Sequence, residues 1–201
     1  LGTMTIARGI AQIVNNNYNT DSIGYGPAAQ AFQDFFYYGR PAGLYNPVII
    51  ALVLLGFFFF ILSWTRTGRH VYAVGSNIEA SRLSGVNVDR TVIFAYLVSA
   101  FCASVVGLMT TATSGMGSMD AGNMYEMYAV AASVIGGVST LGGQGILLGT
   151  VVGAAIWGVL QNGLQFAGAP VAIRNIVIGA IVVVSVLMDV IIRTGGFKKS
   201  K

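Results

Sequence analysis

Four runs of apolar residues, at 48–64, 91–111, 146–166 and 173–192, dominate this chain. Each is close to the roughly 20 helical residues that cross the hydrocarbon core of a bilayer. Composition points the same way: 9% of the residues are charged and 55% are apolar, where a soluble domain carries about 25% charged residues. The expectation is an all-α polytopic membrane protein, one transmembrane domain across the 201 residues. A fifth apolar run, 126–138, is too short to span a relaxed bilayer alone. It leads into a glycine-rich turn at 136–145. Bare backbone of that kind is tolerated at depth only where protein or a wet cavity satisfies it. The opening segment 1–14 is apolar, with Arg8 inside it. It reads as a truncated span or half-helix whose arginine snorkels, and the chain as the C-terminal portion of a longer protein.

Charge orients the spans, because loops rich in Lys and Arg stay on the cytoplasmic side. Loop 65–90 carries Arg66, Arg69, Arg82 and Arg90, and the tail carries Arg193, Lys198, Lys199 and Lys201. Both are expected inside. Loop 112–125 has Asp120 and no basic residue, so it is expected outside, as is the polar loop 15–47. An outside loop and an inside tail need an odd number of crossings between them. Counting 126–138 as a short or broken crossing gives three, with residues 139–145 inside. A re-entrant dip gives two and strands the basic tail outside. About five membrane helices are therefore expected. Within loop 15–47, the run Phe35, Phe36, Tyr37 and Tyr38 reads as a small helix anchored at the lipid interface.

The formal net charge of +4 is small, and its basic residues cluster in the loop and tail, which gives no reason to expect nucleic acid. Cys102 is the one cysteine and lies in an apolar run. His70 has no second ligand near it in the sequence, so no metal is expected. The turn at 136–145 lacks the Gly-Lys-Ser/Thr ending of a phosphate-binding loop. No cofactor is implied. Asp189 and Arg193, four residues apart at the end of the last apolar run, read as an interfacial pair.

Loop 65–90 contains the most specific local pattern. Ser76 followed by Glu79 reads as a capping box, and Gly85 supplies a left-handed C-terminal stop. Between them Asn77, Ala80 and Arg82 complete a two-turn helix, too short to be stable without something to pack against. The wording here carries a resemblance. Glu79 and Ala80, with Gly85 six residues after the glutamate, resemble the loop of ABC importer permeases that forms their cytoplasmic coupling helix. Gly68 through Asn77, then Leu83 to Val86, resemble the ribose/galactose-type sugar permeases of that superfamily; the Leu-Pro that closes the general importer motif is missing. The segment from Tyr125 to Ala132 and on to Gly137 is also similar, except that many such permeases have aspartate where Tyr128 stands.

That resemblance implies a membrane-spanning ABC importer subunit in the bacterial cytoplasmic membrane. It implies an ABC ATPase docked on Ser76, Asn77, Glu79, Ala80, Arg82 and Gly85, a second permease copy, and an extracytoplasmic substrate-binding protein. A branched-chain amino-acid permease is the alternative within the superfamily. A secondary transporter commonly needs a membrane acid or proton relay, and the spans contain almost none. An intramembrane enzyme lacks any catalytic constellation. For the solute pathway the candidates are Glu126, Asn162 and Gln165, the two amides sharing a helix face. Amides offer donors and acceptors to a hydroxyl-rich solute; they equally serve as hydrogen-bonding glue between helices.

Overall fold

The structure is a computed structural model that describes residues 2–194. Among the described residues it contains nine α-helices and no strand: α1 (Gly2–Val14), α2 (Pro27–Gln33), α3 (Asn46–Trp64), α4 (Arg66–Ser76), α5 (Ile78–Leu83), α6 (Val88–Ser114), α7 (Tyr125–Ile135), α8 (Leu147–Phe166) and α9 (Val171–Thr194). By length and composition α3, α6, α8 and α9 can each cross a membrane. The fifth apolar helix, α7, is 11 residues long, or about 16 Å at 1.5 Å per residue. That is half a bilayer core.

The helix ends differ from expectation for identifiable reasons. Helix α6 starts three residues early because Asn87 caps it, its Oδ1 accepting from the Arg90 N–H at 3.0 Å. It also runs past the expected end at 111. The hydroxyls of Thr110, Thr111, Thr113 and Ser114 each donate to the carbonyl four residues back. These polar residues therefore continue the helix instead of breaking it. Loop 15–47 is more ordered than its polarity implied. Pro27 opens α2 at a position where its missing N–H costs nothing. A π-helical turn, Asp34–Tyr38, then carries the aromatic run.

The chain divides into two compact bodies. The first holds the residues up to Phe60 together with Ile93–Asn123. Within it the loops at 19–23 and 115–119 pair: the Thr20 N–H donates to the Gly117 carbonyl (2.9 Å) and the Ile23 N–H to the Gly115 carbonyl (2.8 Å). The Thr20 hydroxyl and the Asn19 amide oxygen accept from the Gly117 and Met119 N–H groups.

The second body holds Ile61–Val92 and the chain from Met124 onward. Its centre is an antiparallel α7–α8 hairpin with α9 laid against it. Three layers four residues apart set the register: Tyr128 on Trp157 (ring centroids 5.4 Å apart), Ala132 on Gly153, and Gly136 on Gly149. At the last two the backbones are so close that a Cβ on Gly153 would overlap the Ala132 carbonyl of α7 and one on Gly149 the carbonyl of Gly136, just past the end of α7. This is the small-residue packing that membrane helices use in place of a hydrophobic driving force. On α8 this close contact is made by Gly149 and Gly153. Gly145 lies in the turn before α8, against Val138. The core is small: Ala131, Ala132, Trp157 and Ile178, flanked by Tyr128, Ile135, Ile181 and Val182. By contrast α3 buries no residue, and Ser99, Ala103 and Gly107 on α6 are exposed, with open space beside Gly107.

Candidate coupling site

Helix α3 ends against α4 through a tight corner. Thr65 caps α4, its hydroxyl accepting from the Gly68 N–H, while the same hydroxyl donates to the Ile61 carbonyl at 2.6 Å. Gly68 is buried there, and a Cβ would strike the carbonyls of Ile61 and Leu62. Loop 65–90 therefore holds two helices instead of the single one expected. Arg66, Arg69 and His70 on α4 are exposed, while Val74 is buried.

The short helix α5 begins at Ile78, and its cap is Asn77, not Ser76. The Asn77 Oδ1 accepts from the Ala80 N–H at 2.9 Å. Ser76 is the last residue of α4, and the chain turns at Asn77 in extended conformation (φ −157°, ψ 110°). The capping box with Glu79 is consequently not formed, because the residue that leaves the first helix and starts the second has to be the cap. The C-terminal end is as the sequence implied. Gly85 has φ +82°, its N–H donates to the Arg82 carbonyl, and the Val86 N–H reaches back to Ser81, which is a Schellman motif. Ser81 faces inward at 5% exposure, whereas Ile78 (54%) and Leu83 (88%) stand in the open. Glu79 and Arg82 are exposed too, and no ion pair joins them among the described residues.

The end of α4 rests on the glycine-rich turn. The Tyr72 hydroxyl donates to the Gly145 carbonyl at 3.0 Å. Backbone meets backbone beyond it: a Cβ on Gly75 would lie 2.7 Å from the Gly143 nitrogen, and one on Gly143 would lie 2.5 Å from the Ser76 Cα. Gly142 and Gly143 both have positive φ, +93° and +71°. Conformation and space both demand glycine there. The turn closes on itself through the Ser139 N–H to the Gln144 carbonyl (2.9 Å) and the Leu141 N–H to the Ser139 hydroxyl.

Asp189, near the end of α9, holds the same turn. Its Oδ2 accepts from both the N–H (2.9 Å) and the hydroxyl (2.8 Å) of Thr140. The partner expected from the sequence, Arg193, has its side chain outside the described residues, as does the basic tail. Hydrogen bonds to a carboxylate are stronger than neutral ones, each contributing roughly 1.5–3 kcal/mol. These are exposed, which favours the lower figure.

Glu126 is exposed in the first turn of α7, where the helix dipole favours a carboxylate. Asn162 and Gln165 are exposed near the last turn of α8. The antiparallel register puts these two ends together, yet among the described residues no hydrogen bond joins Glu126 to either amide. Tyr128 packs on Trp157 with the rings tilted by 38°. Among the described residues no cluster of His, Cys, Asp or Glu is placed to hold a metal ion.

Sequence reasoning missed the contacts of Tyr72, Gly75 and Thr140, the last of them with Asp189; the pairing it gave Asp189 with Arg193 falls outside the described residues. A signal existed for part of this. Adjacent glycines at 142 and 143 announce positive φ, and an acid closing an apolar run needs a donor.

The fold and this site define a multi-pass helical membrane protein whose arginine-rich loop is built into its helix bundle. The chain belongs to the family described as branched-chain amino acid transport system / permease component, which matches residues 1–186. It is 36% identical over 186 residues to the ribose import permease protein RbsC of Escherichia coli, covering 92% of this chain and 57% of that protein. To the xylose transport system permease protein XylH of the same organism it is 41% identical over 147 residues, 73% of this chain and 37% of that protein. The ribose import permease of Haemophilus influenzae is 34% identical over 189 residues, 94% of this chain and 58% of that protein. The chain thus spans little more than half the length of the ribose permeases. No solved structure matches it.

Proposed function

We propose that the chain is the coupling half of a monosaccharide ABC importer permease. In this reading an ABC ATPase docks on α5, a second permease copy completes the pathway, and an extracytoplasmic binding protein delivers the sugar. The exposure of Ile78 and Leu83 on a doubly capped two-turn helix carries it. Apolar side chains held in the open on a charged loop gain most by burial against a protein partner, about 25 cal/mol per Å² covered. The exposed Glu79 and Arg82 beside them offer charges for register and orientation.

A neutral polar solute fits the charge inventory. With the arginine-rich loop through Arg90 and the basic tail set aside, the described parts of the later spans offer Glu126, Arg174 and Asp189, all near helix ends, and Asp189 accepts from Thr140. An unpaired ion in a low-dielectric path costs several kcal/mol. Amides and hydroxyls remain, and these suit a sugar. The names of the ribose and xylose permeases agree with that solute class.

The test is the full complex reconstituted in lipid vesicles with its ATPase and binding protein. Ribose, xylose or galactose should enter and stimulate ATP hydrolysis. Asn162→Leu and Gln165→Leu should lower the maximal rate and leave the binding protein's affinity untouched. The description of the family favours a second reading, a branched-chain amino-acid solute. Uptake of leucine, isoleucine or valine with no response to the sugars would establish that one instead.

A further inference from the structure

We propose that Asp189 is a positioning residue for coupling, pinning the 139–145 turn through Thr140 so that motion of the docking loop is passed to α7, α8 and α9 together. This rests on the coupling role proposed above for α5. The contacts form one continuous chain. Helix α5 follows α4 directly, with Asn77 as the one residue between them. The last turn of α4 touches the turn at Gly142, Gly143 and Gly145 through Gly75, Ser76 and Tyr72. The turn is the covalent link from α7 to α8, and Asp189 ties it to α9.

The quality of these contacts makes them a transmission path instead of incidental packing. Between Gly75 and Gly142–Gly143 no flexible side chain intervenes, so displacement of one backbone is displacement of the other. A turn with two left-handed glycines would be mobile if left alone. One carboxylate oxygen restrains it at two atoms of the same residue, which fixes its direction as well as its distance. Without that restraint the turn could yield when α4 pushes, and α7 and α8 would stay still.

The experiment uses the full complex in vesicles, comparing wild type with Asp189→Ala, Asp189→Asn and Thr140→Val. Four quantities are read: ATPase co-purification, basal ATP hydrolysis, sugar molecules imported per ATP hydrolysed, and hydrogen exchange at the Thr140 amide. Asp189→Ala should keep co-purification and basal hydrolysis, speed exchange at Thr140, and lower the sugar-to-ATP ratio about tenfold, the scale set by losing hydrogen bonds to a charged acceptor. Asp189→Asn retains an acceptor oxygen and should recover most of the ratio. Thr140→Val keeps the N–H bond and should fall between. A purely structural role would instead lower abundance and co-purification together with uptake. That result, or an unchanged ratio in both Asp189→Ala and Thr140→Val, overturns the proposal. A wild-type complex that binds no ATPase overturns the coupling role of α5 and this inference with it.

Discussion

Gly143 and Gly85 both have positive φ, but they are glycines for different reasons, and substitution should separate them. At Gly85 a Cβ would meet nothing within 4 Å, so the constraint is conformational alone. A side chain in the left-handed region costs roughly 1–2 kcal/mol, enough to unwind the end of a two-turn helix. Gly85→Val should reach the membrane at normal abundance, bind the ATPase weakly on co-purification, and lose ATP-driven uptake. Normal uptake at normal abundance would remove α5 from the mechanism. Gly143 adds contact to conformation, since a methyl there would press on Ser76 at 2.5 Å. Gly143→Ala should keep ATPase binding, because α5 is untouched, while uptake falls at least as far as in Gly85→Val. As a control, Gly158→Ala on α8 meets open space and should transport normally, with helix propensity slightly improved.

Among the elements, α5 was legible in loop 65–90 and α4 was not. Gly85 marks a helix end in any context, because few other residues tolerate its φ. The start was ambiguous: Ser76 and Asn77 are both good caps, and only the existence of α4 decides between them. Helix α4 was hidden because Gly68 and Gly75 read as loop residues. In the structure each is a contact point, one against α3 and the other against the glycine-rich turn. The cap can be tested directly. Asn77→Ala removes the acceptor for the Ala80 N–H and should cost about 1 kcal/mol of local helix stability. Faster amide exchange across residues 78–83 would report it. Ser76→Ala deletes a hydroxyl that makes no hydrogen bond among the described residues and should leave exchange unchanged; the reverse pattern would restore the Ser76 capping box. The α7–α8 hairpin was legible only in part. Glycines at i and i+4, as at Gly149 and Gly153, permit close approach, but a contact partner cannot be read from one helix, and Gly136 lies beyond the end of α7. A leucine at Gly153 has nowhere to go between the two backbones. Gly153→Leu should separate the hairpin and lower the thermal midpoint of the solubilised protein, with Gly107→Leu on the open face of α6 as the neutral comparison.

For the whole molecule, the length of each apolar run made the four long spans plain, while the place of α7 was left to charge counting. Packing inside each body now bears on that count. In one body the loops at 19–23 and 115–119 are hydrogen-bonded to each other, so they share a side of the membrane. In the other the turn at 139–145 is packed on Gly75, Ser76 and Tyr72, so it shares a side with the arginine-rich loop. Asp189 on that turn brings the end of α9 to the same side. If the arginine-rich loop is cytoplasmic, as charge bias requires, then 139–145 and the end of α9 are cytoplasmic as well. Helix α7 must then carry the chain across in 11 residues, about half a bilayer core, so irregular backbone has to make up the rest. Such a path has to be lined by protein, because lipid cannot satisfy irregular backbone. Single cysteines in a Cys102→Ser background test this with a membrane-impermeant thiol reagent on right-side-out and inverted vesicles. Ser76→Cys and Gln144→Cys should react only in inverted vesicles, and Ser118→Cys only in right-side-out ones. Ser200→Cys, in the tail outside the described residues, should behave as Ser76→Cys does. Labelling of Ser200→Cys from outside would return α7 and its turn to a re-entrant dip, leaving the chain with one crossing fewer.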